Sequence, residues 1–167
     1  MNITSKILLS IITGTCLVSF TACGSSDSSS GSKISAENSS QQKEVAEMSD
    51  NKLKISVNGT ELTATLENNS SAEALTELLK QGDITIDMSD YGNFEKVGNL
   101  PQSLPKNDEK ITTVPGDIIL YQGNKITIYY AENTWDFTKL GHINNITQEE
   151  LKTLLGDGDV TVSLSIS

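Results

Sequence analysis

The sequence predicts a mainly β domain, an antiparallel sheet or barrel whose ends are covered by two helices. Three observations predict it. Short segments alternating apolar and polar residues at period two recur from Asn51 to Ser167. Asn58-Gly59, a strong signal for a tight hairpin turn, lies between two of them. Only two segments carry helical spacing, too few to serve about seven or eight strands in an alternating βαβ design.

The elements follow in order. "KLKISVNGTELTATLE" reads as a two-stranded start folded about Asn58-Gly59. "SSAEALTELLKQG" sets Ala72, Leu75, Leu78 and Leu79 on one helical face, with Ser70 and Glu73 at capping-box spacing and Gly82 as a stop. "DITIDM" returns to strand alternation. Further on, "DIILY" and "KITIYY" are strands joined across "QGN", and "WDFTKL" is another. In "TQEELKTLLG", Thr147 and Glu150 form a second capping box and Gly156 ends the helix; "DVTVSLSI" closes the domain as a strand. "GDGD", Gly156 to Asp159, lacks the ligand spacing of a calcium loop and reads as the turn between that helix and strand.

Between these segments, "SDYGNFEKVGNLPQSLP", Ser89 to Pro105, breaks the alternation and reads as a loop. Gly92 and Gly98 permit positive φ, and Pro101 and Pro105 stiffen the exit. Such a stretch is either a binding loop or the wrapping of a core.

The first fifty residues differ in kind from the rest. "MNITSK" followed by "ILLSIITGTCLVSF" reads as an export signal, shorter than the roughly 20 apolar residues needed to span a bilayer. "SFTACG" resembles a bacterial lipobox, with Phe20 where a leucine-like residue is usual; the resemblance implies that residues 1–22 are removed and that Cys23 is acylated. Residues 23–50, rich in Ser, Gly, Gln and Glu, read as a flexible tether reaching on the order of 30 Å. Residues 51–167 are the folded domain. The expected address is the bacterial cell membrane, lipid-anchored on its extracytoplasmic face. With Cys16 inside the signal, no intramolecular disulfide forms in the mature chain, and the core alone stabilises it.

The formal net charge is -10, and loss of Lys6 with the signal makes it -11. Such acidity argues against a nucleic-acid partner and against electrostatic docking on anionic lipid, leaving the acyl chains as the membrane attachment. No heptad pattern or long apolar run suggests an oligomer, so a monomer is expected. His142 is the only histidine, which speaks against a metal site; no cofactor is expected, and no motif supports a hydrolase.

Taken together, "VNGTELTATLENNSSAEALTELL", "MSDYGNFEKVG", "PGDIILYQGNKITIYY", the W-x-F-T-K-L-G-x-I pattern from Trp135 to Ile143 and "GDGDVTV" resemble the bacterial cyclophilin-like proteins, small barrels related to the cyclophilin prolyl isomerases. The resemblance runs in order through residues 52 to 166. It implies a closed or nearly closed eight-stranded barrel capped by two α-helices, with a groove on one outer face.

It also poses a catalytic question. Isomerising an X-Pro bond means crossing a barrier of about 18–20 kcal/mol, lowered by stabilising the twisted amide. In cyclophilins an arginine does this. Here all 12 basic residues are lysines. Lys96 and Lys139 are the candidates by position, but an ammonium lacks the planar fork of donors, and both are expected as solvated surface residues. The expected function is therefore non-catalytic binding of a peptide or small molecule, the alternative being a weak prolyl isomerase or foldase for exported chains. The candidate ligand-binding residues are Tyr91, Asn93, Phe94, Gln122, Tyr129, Trp135 and Phe137, aromatics lining an apolar groove with polar edges. The alternative for Phe94 and Trp135 is that they fill the barrel or pack under the helices. Asp87, Asp90 and Glu95 are expected to form an acidic rim favouring cationic or neutral ligands.

Overall fold

A computed structural model describes residues 51–166. The export signal, Cys23 and the tether lie outside the described residues. The strands are β1 (Lys52–Val57), β2 (Thr60–Leu66), β3 (Ile84–Tyr91), β4 (Glu95–Asn99), β5 (Glu109–Thr112), β6 (Asp117–Tyr121), β7 (Lys125–Tyr129), β8 (Thr134–Ile143) and β9 (Val160–Ile166). The helices are α1 (Ser70–Leu79), between β2 and β3, and α2 (Gln148–Leu155), between β8 and β9.

The sheet order is β2-β1-β9-β3-β4-β7-β6-β8, and pairing of β2 with β8 closes it into an eight-stranded antiparallel barrel. β5 is added outside the barrel on the N-terminal half of β8, from Glu109 opposite Phe137 to Thr112 opposite Thr134. The closing hairpin forms as its sequence dictates: Val57 pairs with Thr60 across Asn58 and Gly59, at φ 49° and 78°, the two positive values that a two-residue turn matched to strand twist requires.

Alternation sorts the side chains. Leu53, Ile55 and Val57 of β1, Ile86 and Met88 of β3, and Val162 and Leu164 of β9 fill the interior. Leu75 and Leu79 of α1 and Leu151 and Leu155 of α2 join the same core, which places one stripe of each helix inward. Thr147 and Glu150 make the expected capping box of α2. The cap of α1 lies one residue earlier than expected: the Asn69 side chain accepts from the backbone N–H of Ser71 and Ala72, and asparagine caps a helix as well as the serine beside it.

The stretch read as a loop is only partly one. Tyr91 ends β3, Gly92 and Asn93 turn the chain at φ 63° and 58°, and Glu95–Asn99 forms β4. Strand β4 is central, paired with β3 on one side and β7 on the other. Gly98 serves close approach rather than positive φ: a Cβ there would collide with the Ile86 side chain and lie 2.9 Å from the Asp87 carbonyl oxygen. Beyond it, the segment is core wrapping. Leu100 and Leu104 are buried, and their N–H groups donate to the carbonyls of Asn124 and Gly123. The segment is tied to the start of α1, where Ser71 Oγ donates to the Pro105 carbonyl at 2.6 Å and Asn107 Nδ2 donates to Ser71 Oγ at 2.7 Å.

Candidate functional site: an aromatic groove on the outer face

Strands β6 and β7 are buried along nearly their whole length, so both of their faces are covered. Inward go Ile118, Leu120, Ile126 and Ile128. Outward go Ile119, Tyr121, Thr127 and Tyr129, and Ile119, Tyr129 and Phe137 form a second, separate apolar cluster with Phe94, Ile111 and Tyr121 packed against it. That cluster floors a groove of about 340 Å³.

The rings are organised. Phe94 stacks on Tyr129 at 6.0 Å between centroids, Tyr91 meets Phe94 edge-on at 6.0 Å, and Tyr129 packs tilted against Phe137 at 5.6 Å. These are the offset and edge-to-face arrangements that aromatic quadrupoles favour. Tyr129 and Phe137 are buried, whereas Tyr91 and Trp135 are each 62% exposed. Two large apolar side chains thus stand at the mouth over a buried aromatic floor.

Tyr91, Phe94, Gln122, Tyr129, Trp135 and Phe137 all line this groove. Asn93 does not; it is consumed by the β3–β4 turn. Phe94 and Trp135 neither fill the barrel nor pack under the helices. Glu95, expected only as part of an acidic rim, and Val97, Tyr121, Lys125 and Asn133, which were not named from the sequence, complete the lining; Glu95 and Val97 went unplaced because "EKVGN" does not read as a strand. With β4 in place, parity puts Glu95 and Val97 on the outer face beside Tyr129 and Thr127, their register partners on β7.

Glu95 is the unusual member. The residue is 7% exposed, and its Oε2 is buried with no hydrogen-bond partner. Burial pushes its carboxyl above the ordinary range, opposed by hydrogen bonding from the Tyr129 and Thr127 hydroxyls. Burial and the neighbouring Glu95 carboxylate likewise raise the Tyr129 phenol. Lys125 Nζ lies 5.9 Å from the centroid of the Tyr121 ring, a cation–π distance.

The two candidate lysines lie elsewhere. Lys96, expected at the surface, is fully buried on the inner face of β4. Its ammonium donates to Asp90 Oδ2 at 2.9 Å and to the Gly158 carbonyl at 2.7 Å. Tyr130 donates its hydroxyl to the same Asp90 oxygen at 2.6 Å. Burial would raise the Asp90 carboxyl, but the hydrogen bonds from Tyr130 and Lys96 outweigh it and hold the group below its usual range. Lys139 is partly exposed and pairs with Asp117 at 2.9 Å, where His142 Nδ1 also meets the same oxygen at 2.8 Å. Neither lysine lines the groove. The expected acidic rim does not assemble: Asp87 accepts from Thr161 on the outer face, Asp90 is held by Lys96, and only Glu95 reaches the groove. Among the described residues, no group of three His, Cys, Asp or Glu side chains is placed to hold a metal ion.

A closed eight-stranded antiparallel barrel with two helices defines the class of fold, a cyclophilin-like barrel. The cyclophilin-like family model matches residues 55–165, and the chain belongs to that family. No curated protein matches it.

Proposed function

We propose that this is a lipid-anchored cell-envelope protein whose cyclophilin-like domain binds a peptide segment or small molecule in the outer groove without catalysing prolyl isomerisation. One observation carries the reading. The groove offers an aromatic floor and mouth, but the chain contains no arginine, Lys96 and Lys139 are engaged in ion pairs away from the lining, and the lysine in the lining, Lys125, is held over the Tyr121 ring. A site with ring faces and a few polar groups holds a ligand; lowering an isomerisation barrier needs a donor aimed at the twisted amide.

Anchoring is supported by Cys23 following "SFTA" and by the low-complexity residues that separate it from the barrel. Mass analysis of the membrane form should show acyl mass on Cys23, and an unmodified N-terminus would contradict the anchor. The functional reading is tested by incubating the full-length protein with a panel of X-Pro peptides. It predicts no acceleration of cis/trans exchange beside saturable binding of aromatic ligands. Acceleration by the native protein, lost in a variant Lys139→Ala or Lys96→Ala shown by circular dichroism to remain folded, would establish the isomerase alternative instead.

A further inference from the structure

The groove contains a group that an ordinary apolar site would not keep. Glu95 projects from a central strand into an aromatic lining, nine-tenths buried, with one carboxylate oxygen that nothing in the described structure satisfies. Buried polar atoms are almost always paired, and an orphan needs a reason. The hydroxyls of Tyr129 and Thr127 already act on this carboxyl, yet Oε2 remains without a partner. Lys125, the lysine in the lining, lies over the Tyr121 ring, and no ion pair joins it to Glu95 among the described residues. A donor carried by a ligand in the groove would satisfy Oε2.

We propose that the groove recognises an organic cation, an ammonium or guanidinium group carried on an apolar or aromatic body, with the cation seated against Glu95 and the body between Phe94, Tyr91 and Trp135. Three features favour this chemistry. A cation supplies both the N–H donor that Oε2 lacks and a positive charge opposite the buried carboxylate. The aromatic rings of the lining, Tyr91 and Trp135 exposed at the mouth among them, carry negative charge density on their faces, which attracts the same charge. The chain's net charge of -10 raises the local concentration of cations around the domain. The inference rests on the groove being a binding site and adds the class of ligand it takes.

The test uses the full-length protein and Trp135, the chain's single tryptophan, as the reporter at the groove mouth. Intrinsic fluorescence is titrated with phenethylammonium, with phenethyl alcohol as its neutral isostere, and with phenylpropionate as the anion. The ammonium should bind about tenfold or more tightly than the alcohol, the gain expected of a charge-assisted hydrogen bond in a dry site, and phenylpropionate most weakly. In Glu95→Gln the preference for the ammonium should vanish while the alcohol still binds. Equal affinity for ammonium and alcohol in the native protein, or a preference surviving in Glu95→Gln, would overturn the inference. Because the first comparison needs no variant, it decides even if Glu95→Gln folds poorly. Binding of the alcohol without preference would leave the groove standing and remove only the cation. No response to any probe at millimolar concentration would overturn the inference and take away the groove as an aromatic-ligand site as well. A short amidated peptide beginning with phenylalanine, its N-terminus free or acetylated, identifies the source. Tighter binding of the free form than of phenethylammonium assigns the cation to a peptide, and weaker binding assigns it to a small amine.

Discussion

Replacing Glu95 by glutamine should make the protein more stable at neutral pH. The side chain is 7% exposed with Oε2 unpaired, and a buried polar group left without a partner costs about 1–3 kcal/mol, more when charged. Glutamine keeps the shape but not the charge, and its amide inherits part of the unpaired cost. The expected net gain is about 1 kcal/mol at pH 7. The pH dependence carries the sign. A carboxyl whose folded value is raised above its reference of 4.5 favours folding fully below that pH, and the contribution is lost as pH rises through the folded value. The stability gap between Glu95→Gln and the native protein should therefore be small near pH 4 and open as pH rises toward neutrality. All other carboxylates titrate alike in both proteins, so the difference isolates this group. Urea unfolding followed by circular dichroism at the two pH values measures it. Destabilisation by about 1 kcal/mol or more at pH 7 would refute the reasoning, since it would mean that the carboxylate holds the fold together.

The remaining predictions concern the two faces of the sheet. Lys96→Met removes the buried partner of Asp90 and should cost about 3 kcal/mol in urea unfolding, with groove binding of phenethyl alcohol unchanged in the folded fraction. In the native protein the Asp90 contribution is present above its reference of 3.8 and is lost as pH falls through its lowered folded value; acid titration of Lys96→Met should show a weaker dependence there. Gly98→Ala drives a Cβ into Ile86 and the Asp87 carbonyl and should destabilise by about 3 kcal/mol on thermal or urea melting. Trp135→Ala, at an exposed position, should change stability by about 0.5 kcal/mol or less but weaken ligand binding measured by calorimetry.

The strands that alternate cleanly were legible, as were the Asn58-Gly59 hairpin and the Thr147 capping box, because each is encoded within a few neighbouring residues. Five aromatic members of the groove, Tyr91, Phe94, Tyr129, Trp135 and Phe137, were named from the sequence, but Tyr121 was not, and sequence alone could not separate a groove ring from a core ring such as Tyr130. Strand β4 was not. "EKVGN" contains one β-branched residue, a glycine and two charges, and it is a strand because β3 and β7 pair with it on both edges. Its side chains invert the surface rule: Lys96 goes into the barrel and Glu95 into the groove, and only the closed sheet reveals which faces which. Lys96 was placed at the surface for the same reason, because its partners Asp90 and Gly158 are brought to it by β3 and the turn before β9. Asn69 was passed over as a cap because Ser70, with Glu73 three residues on, has the capping-box spacing that Asn69, three before Ala72, lacks, and only backbone geometry shows that Asn69 takes the role.

The most direct measurement of the central claim is a two-dimensional amide NMR titration of the uniformly labelled protein with phenethylammonium. The account predicts shift changes concentrated at Tyr91, Phe94, Glu95, Tyr129 and Trp135, saturating together. Changes centred instead on the shallow depression between β2 and α2, lined by Leu62, Ile146 and Leu154, would contradict it and move the binding surface off the aromatic groove.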